Sequence, residues 1–181
     1  MPSSRKDYRL MHAAKPNKRK RRSFIYIFTR SLLTSVAITV IFNIMFGIAI
    51  VSGTSMKPTL STGDVIIFWK LSSSYERGEI VLIKTDGRED YVKRICALPG
   101  ENVAIDDGSG TLLTDGKTQY EPYVYEKTYS KVEIAYPLGL SPDEYFVMGD
   151  HRSDSRDSRN YGAVTEKRID GKAIVVIRKV F

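Results

Sequence analysis

The sequence predicts an all-β domain of antiparallel sheets behind a single N-terminal transmembrane helix. Three observations lead there. Residues 31–51 form a run of 21 residues without a charge, fifteen of them Leu, Ile, Val, Phe, Met or Ala. After residue 51 the pattern turns to short β-branched runs of period two, the spacing of half-buried strands. Four Asp-Gly pairs punctuate those runs, and Asp-Gly favours tight hairpin turns.

Residues 1–30 read as a basic cytoplasmic tail, with ten of the chain's 28 cations against Asp7 alone. The remainder carries 18 cations and 20 acids, so the formal net charge of +7 belongs to the tail. A nucleic-acid-binding body needs positive charge on its folded surface, so no nucleic acid is expected as a partner. Residues 31–51, as a helix, span roughly 30 Å, about one hydrocarbon core. The run exceeds the roughly 7–15 apolar residues of a cleaved signal sequence. No A-x-A site ends it, so a retained anchor in the lipid bilayer is expected. The Lys/Arg cluster before it stays in the cytoplasm, which puts residues 52–181 outside.

Within residues 52–181 the expected strands are DVIIFWK (64–70), EIVLIK (79–84), DYVKRICAL (90–98), ENVAID (101–106), EYFVM (144–148) and KAIVVIRKV (172–180). The turn pairs are Asp86-Gly87, Asp107-Gly108, Asp115-Gly116 and Asp170-Gly171. Residues 107–142, with scattered Gly, Asp, Tyr and Pro, read as an excursion from the core. Phe68 and Trp69 fit either a membrane interface or ordinary core packing. Cys96 is the only cysteine, which excludes an intrachain disulfide. With His12 and His151 it makes too few ligands of the kind zinc wants, and no metal is expected.

The stretch GTSMKPTL (53–60) follows the apolar run and sets Thr54, Ser55 and Thr59 beside Lys57 and Pro58. A hydroxyl nucleophile needs a base beside it. His12 lies across the expected span. His151, in GDHRSDSRDSR (149–159), is one candidate, in a Ser-His-Asp arrangement. A lysine kept neutral is the other, since burial lowers an amine pKa from about 10.4. In a strand, Tyr91, Lys93 and Ile95 share one face, and Val92 and Arg94 the other. From spacing alone, a surface lysine at a sheet edge is the stronger reading of Lys93. Arg94 cannot be a base, because guanidinium stays protonated. The charged loop is either solvated or folded on its own ion pairs, rigid enough to hold a hydroxyl against a site.

Taken together, GTSMKPTL, GDVIIF, YVKRICALPGE and MGDHRSDSRDSR, in that order after one apolar span, resemble the type I signal peptidases. These are membrane-anchored serine proteases that use a Ser-Lys dyad. The resemblance covers most of residues 30–181, and DGKTQYEPYV (115–124) looks like a segment of the Gram-positive branch. It implies Ser55 as nucleophile and Lys93 as general base. It implies Ser155 as the serine that hydrogen-bonds the lysine, with Asp157 and Arg159 bracing that loop. Backbone N–H groups at Ser55 and Gly53 would hold the oxyanion. His151, Ala97 and Glu101 depart from the usual Asn, Gly and Asp, and none is expected to touch the dyad.

The implied protein is an all-β catalytic domain that removes signal peptides from exported preproteins after small residues at −1 and −3. The substrate would lie as an added strand along 48–54 and 90–93. It would work at the cell membrane, as a monomer, without metal or cofactor. The alternative is a non-catalytic or specialised assembly or processing factor for surface proteins on the same scaffold. The non-catalytic relatives have lost the Ser or the Lys, and this chain keeps both.

Overall fold

The computed structural model describes residues 18–85, 87 and 89–179. Residues 1–17 of the basic tail, His12 among them, and Asp86 lie outside the described residues. The chain divides into two units, 1–43 and 44–181.

The first unit is built on helix α1, Lys18–Met45. Its stretch Ser23–Met45 is long and apolar enough to cross a membrane. Phe24, Leu33 and Ile38 leave most of their surface uncovered, as an apolar helix does when lipid is its solvent. The helix is displaced from the expected 31–51. It starts inside the expected tail and ends at Met45, and Phe46–Ile50 form a strand. An apolar run of mixed Ile, Ala and Phe does not distinguish helix from strand. Cross-strand pairing decides it here, with Phe46 opposite Trp69 and Ile50 opposite Val65. The β unit therefore begins before residue 52.

The strands of that unit run, in chain order, β1 Phe46–Ile50, β2 Val65–Trp69, β3 Ile80–Ile83, β4 Tyr91–Ala97, β5 Asn102–Asp106, β6 Thr111–Thr114, β7 Lys117–Thr118, β8 Leu138–Gly139, β9 Glu144–Met148, β10 Val164–Thr165 and β11 Ile169–Ile177. They make two antiparallel sheets, ordered β1-β2-β11-β3-β4-β9-β10 and β7-β6-β5-β8. Each of the six expected segments contains a strand, the last of them running Ile169–Ile177. The excursion 107–142 contributes β6, β7 and β8 to the smaller sheet, and residues 119–137 hold no strand.

Asp115-Gly116 turns β6 into β7 with positive φ at both residues, as a type I′ hairpin requires. Asp170-Gly171 does not turn. It lies inside β11, where a Cβ on Gly171 would come within 2.5 Å of Trp69 O. The glycine there allows close backbone approach rather than a reversal. Phe68 is fully buried with Val51, Met56, Leu60 and Ile66, so its membrane-interface reading is overturned. Trp69 packs edge-on against Phe46, ring centroids 5.1 Å apart.

Candidate active site

Strand β4 sets up the site by alternation. Lys93 lies opposite Val81, Tyr91 opposite Ile83, and Ile95 opposite Val147, so this face joins the core cluster of those residues. Lys93 is 3 % exposed. Its Nζ donates to Ser55 Oγ at 2.7 Å and lies 5.6 Å from the centre of the Tyr91 ring. No carboxylate pairs with it among the described residues. Burial pushes its pKa down to about 8, against the opposing field of Asp157.

Ser55 sits on the loop from β1 to β2. Val51 and Asp64 close that loop through backbone bonds, and Met56 and Leu60 anchor it in the core. Gly53 takes φ 92°, which favours glycine. The N–H groups of Gly53, Thr54 and Ser55 donate to nothing among the described residues.

The loop 149–159 holds this segment from the other side. His151 N donates to Ser55 O at 3.0 Å, and the His151 ring meets Thr54 O. Thr54 Oγ1 donates to Asp154, and Thr59 Oγ1 to Asp150. Gly149 leaves room for this approach, since a Cβ there would lie 2.4 Å from Ser55 O.

Asp157 and Arg159 pair within this loop. Arg159 donates to both Asp157 oxygens at 2.9 Å, Gly149 N donates to Asp157 Oδ2 at 3.1 Å, and Asp157 caps helix α2, Ser158–Tyr161. Burial works against the Asp157 charge, but Arg159 outweighs it and holds the carboxyl below its ordinary value. The expected hydrogen bond from Ser155 to Lys93 is not made. Ser155 Oγ is buried against Gly149 with no hydrogen-bond partner among the described residues. It lies close to Asp157 without hydrogen-bond geometry.

Sequence reasoning missed Arg94 and Asp150. On the opposite face of β4, Arg94 is 7 % exposed and bidentate to Asp150, with a further bond to Gly78 O at 2.7 Å. Its guanidinium stacks 3.9 Å from the centre of the Tyr123 ring. Burial works against its charge, but Asp150 prevails and its pKa stays above the ordinary value. The available signal was alternation. A cation on a buried strand needs a counter-ion, and Asp150 stood in a motif already singled out. Of the departures, His151 does touch the proposed dyad, its backbone N–H donating to Ser55 O, and Ala97 lies in β4 at a register shift against β9, without positive φ. Glu101 accepts from Leu98 N at 2.7 Å.

A cleft of about 560 Å³ runs past the Ser55–Lys93 contact, lined by residues 48–56, Leu82, 89–93, Asp154 and Arg156. Two strand edges open onto it. Among the described residues, β1 pairs only with β2, and β4 pairs with β9 only from Arg94 onward. No group of three or more His, Cys, Asp or Glu among the described residues is arranged to hold a metal ion.

Residues 24–178 match the family described as signal peptidase, peptidase S26. A signal peptidase I of Bacillus amyloliquefaciens is 34 % identical over 85 % of this chain and 88 % of its own. One from Bacillus licheniformis is 32 % identical over 83 % and 87 %. A solved signal peptidase I of Enterococcus faecalis V583 aligns at 28 % identity and a TM-score of 0.47, over 55 % of this chain and 97 % of its own. Family and geometry thus meet on one chain, and it belongs to the signal peptidases of family S26.

Proposed function

We propose that this signal peptidase is a membrane-anchored serine endopeptidase in which Ser55 is the nucleophile and Lys93 the general base. The observation that carries the reading is the 2.7 Å contact between Ser55 Oγ and a lysine that is buried without a counter-ion among the described residues. A neutral amine takes the hydroxyl proton across that contact as Oγ attacks the scissile carbonyl. The free N–H groups of Ser55 and Gly53 receive the oxyanion. The lysine then protonates the leaving amine and activates water to release the acyl-enzyme. Protonated Lys93 has three N–H donors, and Ser55 Oγ accepts one. The unpartnered Ser155 hydroxyl is proposed to take another, orienting the base with Asp157 and Arg159 behind it.

The substrate is the signal peptide of an exported preprotein, laid between the free edges of β1 and β4 as an added strand. The cleft wall of Val51, Met56, Leu82 and Val92 supports small apolar side chains at −1 and −3. The helix Ser23–Met45 supports anchoring, with the basic tail cytoplasmic and the β unit extracytoplasmic. Ile48, Ile50, Val175 and Ile177 form an exposed apolar face across β1, β2 and β11, which supports contact between this unit and the bilayer. Tethering enzyme and inserted substrate in one membrane raises their effective concentration.

Mass spectrometry of preprotein cleavage by the purified chain and its Ser55→Ala form tests the reading. Cut sites after small residues that vanish in Ser55→Ala are expected. Uncut preprotein with the unaltered chain favours the non-catalytic assembly role instead.

A further inference from the structure

Residues 119–137 join β7 to β8 without forming a strand, yet their polar groups turn onto the loop 149–159. Arg152 of that loop is 1 % exposed. Its Nε donates to Gly149 O at 2.9 Å, and its two terminal nitrogens donate to the two Glu121 oxygens at 2.9 and 2.8 Å. Thr128 Oγ1 accepts from it as well. Glu126 accepts from Ser153 N at 3.1 Å. Lys131 Nζ donates to Ser155 O at 2.9 Å, and Tyr129 O accepts from Arg159. The Asp157–Arg159 pair closes the loop internally, so these outside contacts are an additional set, all from one segment.

The loop in turn holds the Ser55 half of the proposed dyad. Through His151, Asp154 and Asp150 it fixes the Ser55 segment. Asp157, Arg159, Asp150 and Asp154 are also the charged groups whose fields reach the buried Lys93 amine. From these contacts we infer that Glu121 and Lys131 are positioning residues of the reaction centre, acting through the Arg152 side chain and the Ser155 carbonyl. The inference rests on the Ser55–Lys93 reading. It predicts that loosening this strap shifts the loop by a fraction of an ångström, enough to misalign hydroxyl and amine. Loosening also admits water to Lys93, and lost burial raises an amine's pKa.

The test uses the full chain with Lys131→Met, Lys131→Arg, Glu121→Gln and Ser55→Ala, assayed on a peptide with an Ala-x-Ala site. Lys131→Met removes one surface-reaching donor and keeps the core. Its kcat is expected to fall about 10-fold with KM unchanged, because alignment and not binding is disturbed. The rising limb of its kcat–pH profile is expected to move to higher pH, and Lys131→Arg to recover both. Glu121→Gln is expected to go further in the same direction, and Lys131→Met decides the matter if that variant fails to fold. An unmoved limb and wild-type kcat in Lys131→Met, beside an inert Ser55→Ala, overturn the positioning role alone. A loss in Lys131→Met that tracks its unfolded fraction by circular dichroism, with the limb unmoved, overturns it too. A Ser55→Ala chain that still cleaves overturns the dyad reading on which the inference rests.

Discussion

Lys93 and Arg94 are neighbours in one strand, both buried, and the protein treats them in opposite ways. Arg94 meets a bidentate carboxylate, a carbonyl and an aromatic face. Among the described residues, Lys93 meets a hydroxyl and the Tyr91 ring, and no carboxylate. Burial acts against charge on both sides of the strand. Where a counter-ion answers it, the side chain stays charged and braces the structure. Where none does, the side chain is pushed towards neutrality. The chemical difference between the residue types reinforces the placement, since guanidinium does not deprotonate and an ammonium does when desolvated. On the proposed reading, a base is made here by withholding a carboxylate.

The largest break in this contrast comes from carrying Arg94's chemistry across the strand. Lys93→Arg places a permanent charge where a proton acceptor is needed. Cleavage is expected to fall by about 10⁴-fold or more, matching Lys93→Ala and Ser55→Ala, since removing one member of a catalytic unit costs nearly the whole effect. Single-turnover cleavage of a labelled preprotein reads this directly.

Breaking the paired side comes next. Asp150→Asn leaves the Arg94 charge buried with its carboxylate gone, a class of change that costs roughly 3–5 kcal/mol. Urea unfolding is expected to show that loss, with activity falling as Thr59 releases the Ser55 segment.

The unpaired side carries the reverse signature. Lys93 titrates near 10.5 when unfolded and about 8 when folded, so between these values the unfolded chain binds more protons. Stability from this group therefore rises with pH across that window, and below about pH 8 its full penalty applies. Lys93→Met is expected to be more stable than the parent in urea unfolding at pH 7, by on the order of 3 kcal/mol. The gain shrinks from pH 8 towards 10.5. A parent more stable than Lys93→Met at pH 7 would show that the charged amine is well solvated in the fold.

Smaller effects sharpen the picture around the dyad. Ser155→Ala is expected to lower kcat more than it changes KM. His151→Asn is expected to stay within about 10-fold of the parent, because the contact of its backbone N–H with Ser55 O survives the change.

Much of this was legible in the sequence, where local pattern and final fold agree. The strand around Lys93 alternates as its neighbours require, and the Asp115-Gly116 turn forms where the dipeptide permits left-handed backbone. What escaped was set by distant partners. Residues 46–50 read as the end of a helix, because only pairing with β2 makes them a strand. Asp170-Gly171 read as a hairpin, because the approach of Trp69 O is invisible locally. Ser55 and Lys93 were placed by resemblance, while spacing left Lys93 as a surface side chain. Glu121's bond to Arg152 spans a stretch of irregular chain, and no periodicity foretells it.

The most direct test of the contrast is the pH dependence of kcat/KM for the free enzyme on a neutral peptide. That profile reports ionisations in the unliganded site. With Lys93 buried and unpaired, activity rises with pH through a single ionisation near 8, and the limb is lost in Lys93→Ala together with the activity. A limb that instead follows ordinary lysine, at about 10.4, contradicts a base neutralised by burial. So does a rise through the histidine range, at about 6.5, that His151→Asn abolishes.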